Sequence, residues 1–266
     1  MRPVNLAGRD GASLLACRAL PLRCMSSQFT LNMQRQPSIR REAIMFEDAL
    51  RPNYGQAVIF PVPDEMDPSV ARILFSSTHG FSQIGISQNA MSLSVNYSDD
   101  EWQTGALARN AYLSERISQL FNLAHSLKDA PIQFCGLINI YRLQVEGDDE
   151  DIMNSLQDEF LCSKDPDLQD LIVKYTHKIK GRFFSNTTIQ NYRELPGLPS
   201  IDVARVPYGS AVTRGVTITH DFNDRLAFNE DPRYFSSETA GREILGESDA
   251  TLRPFLARIM GAFNAV

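Results

Sequence analysis

The spacing of apolar positions changes twice between residues 91 and 145. Met91, Leu93, Val95 and Tyr97 alternate with Ser92, Ser94 and Asn96, the period of a strand with one wet face. Trp102, Leu113, Ile117, Leu120, Phe121, Ala124 and Leu127 then fall on one stripe at helical spacing. Ser98 or Asp99 can cap that helix, Asp100 and Glu101 suit the dipole of its first turn, and Pro131 stops it. Gly105 weakens its first turns by about 1 kcal/mol relative to Ala. Residues 132–145 are apolar on both alternating faces, which predicts a central strand covered on both sides, with Asn139 as an embedded polar group.

Shorter patterns fill the rest. Residues 39–46 and 54–60 read as strands, and the proline-rich PVPDEMDP is a loop. ARILFSS, FSQIGIS and MSLSVNY, broken at THG and SQN, predict an antiparallel meander. Residues 146–151 hold five acids and lead into a short helix to about Leu161. Residues 171–184 predict one strand, YRELPGLPS a loop, IDVARV a strand, and 212–222 a strand alternating Val212, Val216, Ile218 and Phe222 with polar residues. Residues 223–247 read as a long surface loop. A closing helix is expected from Ser248 or Asp249, with Pro254 in its first turn or so and a stripe of Leu252, Phe255, Leu256, Ile259, Met260 and Phe263.

Each half therefore predicts several antiparallel strands and one long helix. The expected class is α+β, as two related units, each a curved antiparallel sheet packed on a long helix. The units span 37–146 and 147–266. Residues 1–24 form a separate leader: four arginines against Asp10 leave −9 on the remainder of a chain whose net charge is −6. A mis-called start, with translation from Met25, is the preferred explanation; a disordered tail and a transit peptide are the alternatives.

The combination of NAMSLSVNYSDDEW, the long helix, IQFCGLINIYRL and a closing helix ending in AFN resembles a sporadically distributed family of bacterial proteins of similar length, to which no activity is assigned. The likeness covers about residues 37–266 and also draws on PSIRREAIMF and on Ile218-Thr219-His220-Asp221. It implies a fold and a bacterial source, and a bacterial source favours the mis-called start.

The acidic balance argues against an electrostatic nucleic-acid binder. The one basic stretch with interleaved aromatics is KYTHKIKGRFF, for which a wet strand face over the core is the plainer explanation. No run is long and apolar enough to span a bilayer. Cys17, Cys24, Cys135 and Cys162 make no CxxC pair, which fits a reducing cytoplasm, and Cys135 reads as a buried inert thiol. P-loop, GxGxxG, GxSxG and HExxH patterns are absent, so neither a cofactor nor a metal is expected. His79, His125, His177 and His220 are candidate bases, but His220 and Asp221 are strand neighbours pointing to opposite faces.

The leading expectation is a non-enzymatic module that binds a protein partner, such as an antitoxin, immunity or phage-defence accessory subunit; the oligomeric state stays open. A second expectation is a small-ligand cavity under a helix-covered sheet. Its candidate binding residues are Asn139, Tyr141, Arg142, His220 and Asp221. A third is a hydrolase or nuclease in which two or more of His79, His177, His220, Asp221 and Glu230 converge.

Overall fold

The computed structural model describes residues 18–128, 130–195 and 211–264. Its sheet is organised around a strand that the apolar pattern did not reveal. β2 (Arg23–Met33) buries Cys24, Ser27, Phe29, Leu31 and Met33. A bulge between Cys24 and Ser26 shifts its alternation by one residue. β2 pairs antiparallel with β7 (Ile132–Glu146), and β1 (Arg18–Ala19) pairs with the far end of β7. The expected boundary at Met25 thus falls inside a paired strand; residues 1–17, with Cys17, lie outside the described residues.

Residues 39–46 are helical rather than a strand. A 3-10 turn (Ile39–Glu42) runs into α1 (Ala43–Leu50), and Ile39, Ala43, Phe46 and Leu50 are buried together. Steps of four, three and four residues lie on one helical face, whereas a strand would send Ile39 and Phe46 to opposite sides. Within 54–60 the only strand is β3 (Val58–Ile59), a short exposed edge.

The meander forms as expected from β4 (Ile73–Ser76), β5 (Ser82–Ile86) and β6 (Ala90–Asn96). The long helix is divided into α2 (Asp100–Thr104), capped by Asp99 on the Trp102 amide, and α3 (Ala106–Ser126). The break falls at Gly105, where an added Cβ would lie 2.5 Å from the Glu101 carbonyl oxygen.

β7 is central but covered on one face only, which corrects the two-sided expectation. Cys135, Leu137, Asn139, Tyr141 and Leu143 are buried, while Phe134, Gly136, Ile138, Ile140 and Arg142 stay partly exposed. The acid run becomes the start of α4 (Asp149–Phe160), with Asp148 and Asp151 closing a reciprocal capping box.

Residues 171–184 are a hairpin, not one strand. β8 (Ile172–Ile179) turns into β9 (Phe183–Glu194) through Lys180 and Gly181, both left-handed at φ 51° and 64°. The expected IDVARV strand lies outside the described residues. β10 (Thr213–Asn223) follows. The expected loop at 223–247 instead contains α5 (Arg225–Glu230) and the first turns of α6 (Glu238–Asn264). Ala240, Ile244 and Ser248 continue the buried stripe of α6 backwards, so Pro254 lies inside the helix and not in its first turn.

The result is a mixed helix-and-sheet fold around one large antiparallel sheet, ordered β3-β4-β5-β6-β2-β7-β10-β9-β8. α3 packs over β6 and β2, α6 packs over β7 and β10, and α1 and α4 flank them. Asn110 donates to Asp249 (2.6 Å) and Ser118 to Glu238 (2.7 Å), joining α3 to α6. An alanine at Gly241 would place its Cβ 2.7 Å from the Phe121 ring, so glycine permits this close crossing. In chain order the first half runs β2, α1, β4, β5, β6, α3, with space order β2-β6-β5-β4. The second runs β7, α4, β8, β9, β10, α6, with space order β7-β10-β9-β8. No described helix is long and apolar enough to cross a membrane.

Candidate functional site

Three cross-strand rows run across the middle of the sheet face opposite the helices, and a further row of Arg23, Arg142, Thr217 and Gln190 flanks the third. The first is Ser94, Gln28, Ile138, Asp221, Asn186 and Thr176. The second is Ser92, Thr30, Gly136, Asn223, Phe184 and Lys178. The third is Asn96, Ser26, Ile140, Thr219, Thr188 and Lys174. Residues opposite each other in register share a face, so these side chains form one surface. From β6 to β9 the three middle rows carry one charge, that of Asp221; the two lysines are on the edge strand β8. α5 reaches this face at one end, where Phe228 meets Phe134 at 5.6 Å between ring centroids.

Asp221 is held in place by neighbours on the same surface. It accepts from Asn186 Nδ2 (3.0 Å) and Asn223 Nδ2 (2.8 Å). Beside it lies a depression of about 250 Å³ lined by Thr30, Phe134, Ile138, Asp221 and Arg225, among others. Arg225 stacks over Phe134 at 5.3 Å. Gly136 forms part of the wall, and a Cβ there would come within 2.8 Å of Asn223 Cβ. This surface offers hydroxyl and amide groups with scattered apolar contacts. It suits non-covalent recognition, and it holds no paired acid and base for proton transfer.

The other expected site residues are dispersed. Asn139 is buried on the helix side, where its Oδ1 accepts from Ser27 Oγ (2.6 Å), which in turn accepts from Tyr97 OH (3.1 Å). His220 is fully buried between Ser185 Oγ (3.0 Å from Nε2) and Ser248 Oγ (3.1 Å from Nδ1). Burial lowers its pKa to about 4, so the ring is neutral and bonded at both nitrogens. Arg142 pairs with Glu194 and lies over the Tyr192 ring (5.0 Å). Tyr141 is buried on the helix side beside Cys24, where both line a second cavity.

The hydrolase set is not brought together. His79 is exposed in its turn against Phe81 (ring centroids 5.9 Å), His177 is exposed on β8, and Glu230 pairs with Lys178. His220 and Asp221 occupy opposite faces of β10. His125 is exposed near the end of α3. Among the described residues no three His, Cys, Asp or Glu side chains cluster to hold a metal ion. The Cys24 thiol is pushed up to about 11 and Cys135 is raised, both chiefly by burial, which leaves them protonated and unreactive.

Several structural charges were not legible in the sequence. Asp224 is fully buried and accepts from the Cys135 amide (2.7 Å), Tyr234 OH (2.6 Å) and Ser236 Oγ (2.5 Å), tying the connection before α6 to β7. Arg72, also fully buried, donates to the carbonyls of Val70, Pro63, Met66 and Asp67 and so shapes the proline-rich loop. Much of the basic stretch is paired at the surface: Lys178 with Glu230, Lys180 with Glu247 and Arg182 with Glu243. Neither a protein-family model nor a curated protein matches the chain.

Proposed function

We propose that this chain is a non-enzymatic protein-interaction module whose open sheet face receives a partner protein. The observation that carries it is charge depletion. The chain has 26 Lys and Arg and 32 Asp and Glu, yet the fifteen positions of the three middle rows from β6 to β9 include one charge, Asp221; Arg23 and Arg142 lie in the flanking row. An ordinary wet face in such a chain would alternate Lys and Glu, whereas the centres of protein interfaces are depleted of charge. Ile138, Ile140, Phe134 and Phe184 supply apolar anchors among the hydroxyls and amides.

We also propose that the two halves are related units, divided before β7 rather than after it as the expected bounds of 37–146 and 147–266 had it. Matching chain order, matching space order and the antiparallel pairing of β2 with β7 support a pseudo-twofold axis between those strands. Such a duplication would make one wide face from two narrow ones. The family resemblance favours a cytoplasmic accessory or neutralising subunit, of the antitoxin, immunity or phage-defence kind.

The test is affinity capture from the native host with three forms of the full chain. Wild type should retain a stoichiometric partner. Thr219→Arg, which plants a charge mid-face, should lose it at an unchanged melting temperature. Ala111→Arg, on the exposed side of α3, should keep it. Capture that survives Thr219→Arg and fails with Ala111→Arg would move the interface to the helices and end this proposal.

A further inference from the structure

The helix side of the sheet holds a separate cavity of about 170 Å³, walled by the start of β2, the middle of β7, the α2–α3 junction and α6. We propose that it binds a small monocarboxylate with a short apolar tail. This goes beyond partner docking, and either can hold without the other.

The first support is an unused donor. Tyr54, Tyr97 and Tyr141 are the buried tyrosines among the described residues. Tyr54 OH bonds Ser82 Oγ and Tyr97 OH bonds Ser27 Oγ. Tyr141 is 5% exposed and lines the cavity, and its hydroxyl makes no hydrogen bond within the described chain. The hydroxyl oxygen itself keeps contact with the cavity space, where a ligand can replace the water that otherwise satisfies it.

The second support is a buried cation with donors to spare. Arg109 is 8% exposed, and its Nη1 donates to the carbonyls of Trp102 (2.9 Å) and Gln103 (2.8 Å). Those bonds fix the guanidinium at the cavity wall while Nε and Nη2 make none. A preorganised guanidinium beside a phenol suits a carboxylate, which accepts from both.

Charge and size narrow the class further. Arg109 and Arg253 outnumber Asp249, which already accepts from Asn110, so the wall carries net positive charge. Asp249 would repel a second carboxylate, which limits the ligand to one. Leu22, Leu252 and Leu256 offer an apolar seat for the tail. The volume equals that of about six water molecules in the liquid, well below a drug-sized site.

Hexanoate is the probe, titrated into the full chain with ¹³C-labelled leucine methyl groups. Saturable shifts at Leu22, Leu252 and Leu256 are expected. Tyr141→Phe should weaken binding about tenfold without lowering the melting temperature, because the hydroxyl has no partner to lose. Ala106→Phe, which fills the opening, should abolish the shifts, and hexylamine should not compete. Unmoved leucine methyls, equal affinity in Tyr141→Phe, persistence in Ala106→Phe, or tighter binding of hexylamine would each overturn the assignment.

Discussion

The two faces of this sheet use polar residues in opposite ways. On the helix side, Ser27, Asn139, Ser185 and His220 are buried, and each has a named partner within the fold. On the open side, Ser26, Thr30, Thr219 and Asn186 are only partly buried, in rows with almost no charge. Polar groups under the helices are structural because desolvation forces them to be satisfied. Polar groups on the open face lack that constraint, so the absence of charge there is what needs an explanation. The same strand can thus serve stability on one side and recognition on the other. His220 and Asp221 show this in adjacent positions.

Substitutions at neighbouring residues separate the faces. The largest contrast is between Phe29, fully buried against Phe121, and Thr30 on the open side. Phe29→Ala should cost about 3–5 kcal/mol in urea unfolding, and Thr30→Ala about 0.5 kcal/mol or less. Comparable losses would mean that the open face is packed as tightly as the other.

A pH titration makes the next contrast. His220 ordinarily titrates near 6.5 and is lowered to about 4 in the fold. Between those values the unfolded chain binds a proton that the folded chain refuses. Its contribution is therefore complete above pH 6.5 and declines as pH falls towards 4, by up to about 3 kcal/mol. His220→Gln should flatten that part of the stability profile. A slope unchanged by His220→Gln would place the titration elsewhere.

The smallest contrast is between two serines. Ser27→Ala removes the donor to Asn139 and the acceptor for Tyr97 and should cost about 1–3 kcal/mol. Ser26→Ala, one residue away on the open face, should cost about 0.5 kcal/mol or less in the same unfolding assay.

Long periodic segments were legible in the sequence. The meander and the α3 stripe followed from alternation or helical spacing alone; β7 followed from its long apolar run, although that run overstated its cover to both faces. β2 was hidden because its bulge breaks the alternation and its first residues share the composition of the leader. α1 was misread because Ile39, Ala43, Phe46 and Leu50 are few enough to suit a strand until burial shows a helical face. The Lys180-Gly181 turn and the early start of α6 were obscured by polar surroundings. Tyr141 and Asp221 line cavities on opposite faces of the sheet. The open face itself was not legible. It joins Gln28, Ser94, Ile138, Asn186 and Asp221, which only strand register brings together. Cys24 and Tyr141 likewise meet at the second cavity through the β2–β7 register.

Hydroxyl-radical footprinting of the captured complex tests partner docking on the open face most directly. Ile138, Ile140, Phe134 and Phe184 should lose reactivity when the partner binds, while exposed Leu107 and Phe235 should keep theirs. Undiminished reactivity at the four open-face residues, with protection at Leu107 or Phe235, would contradict the account.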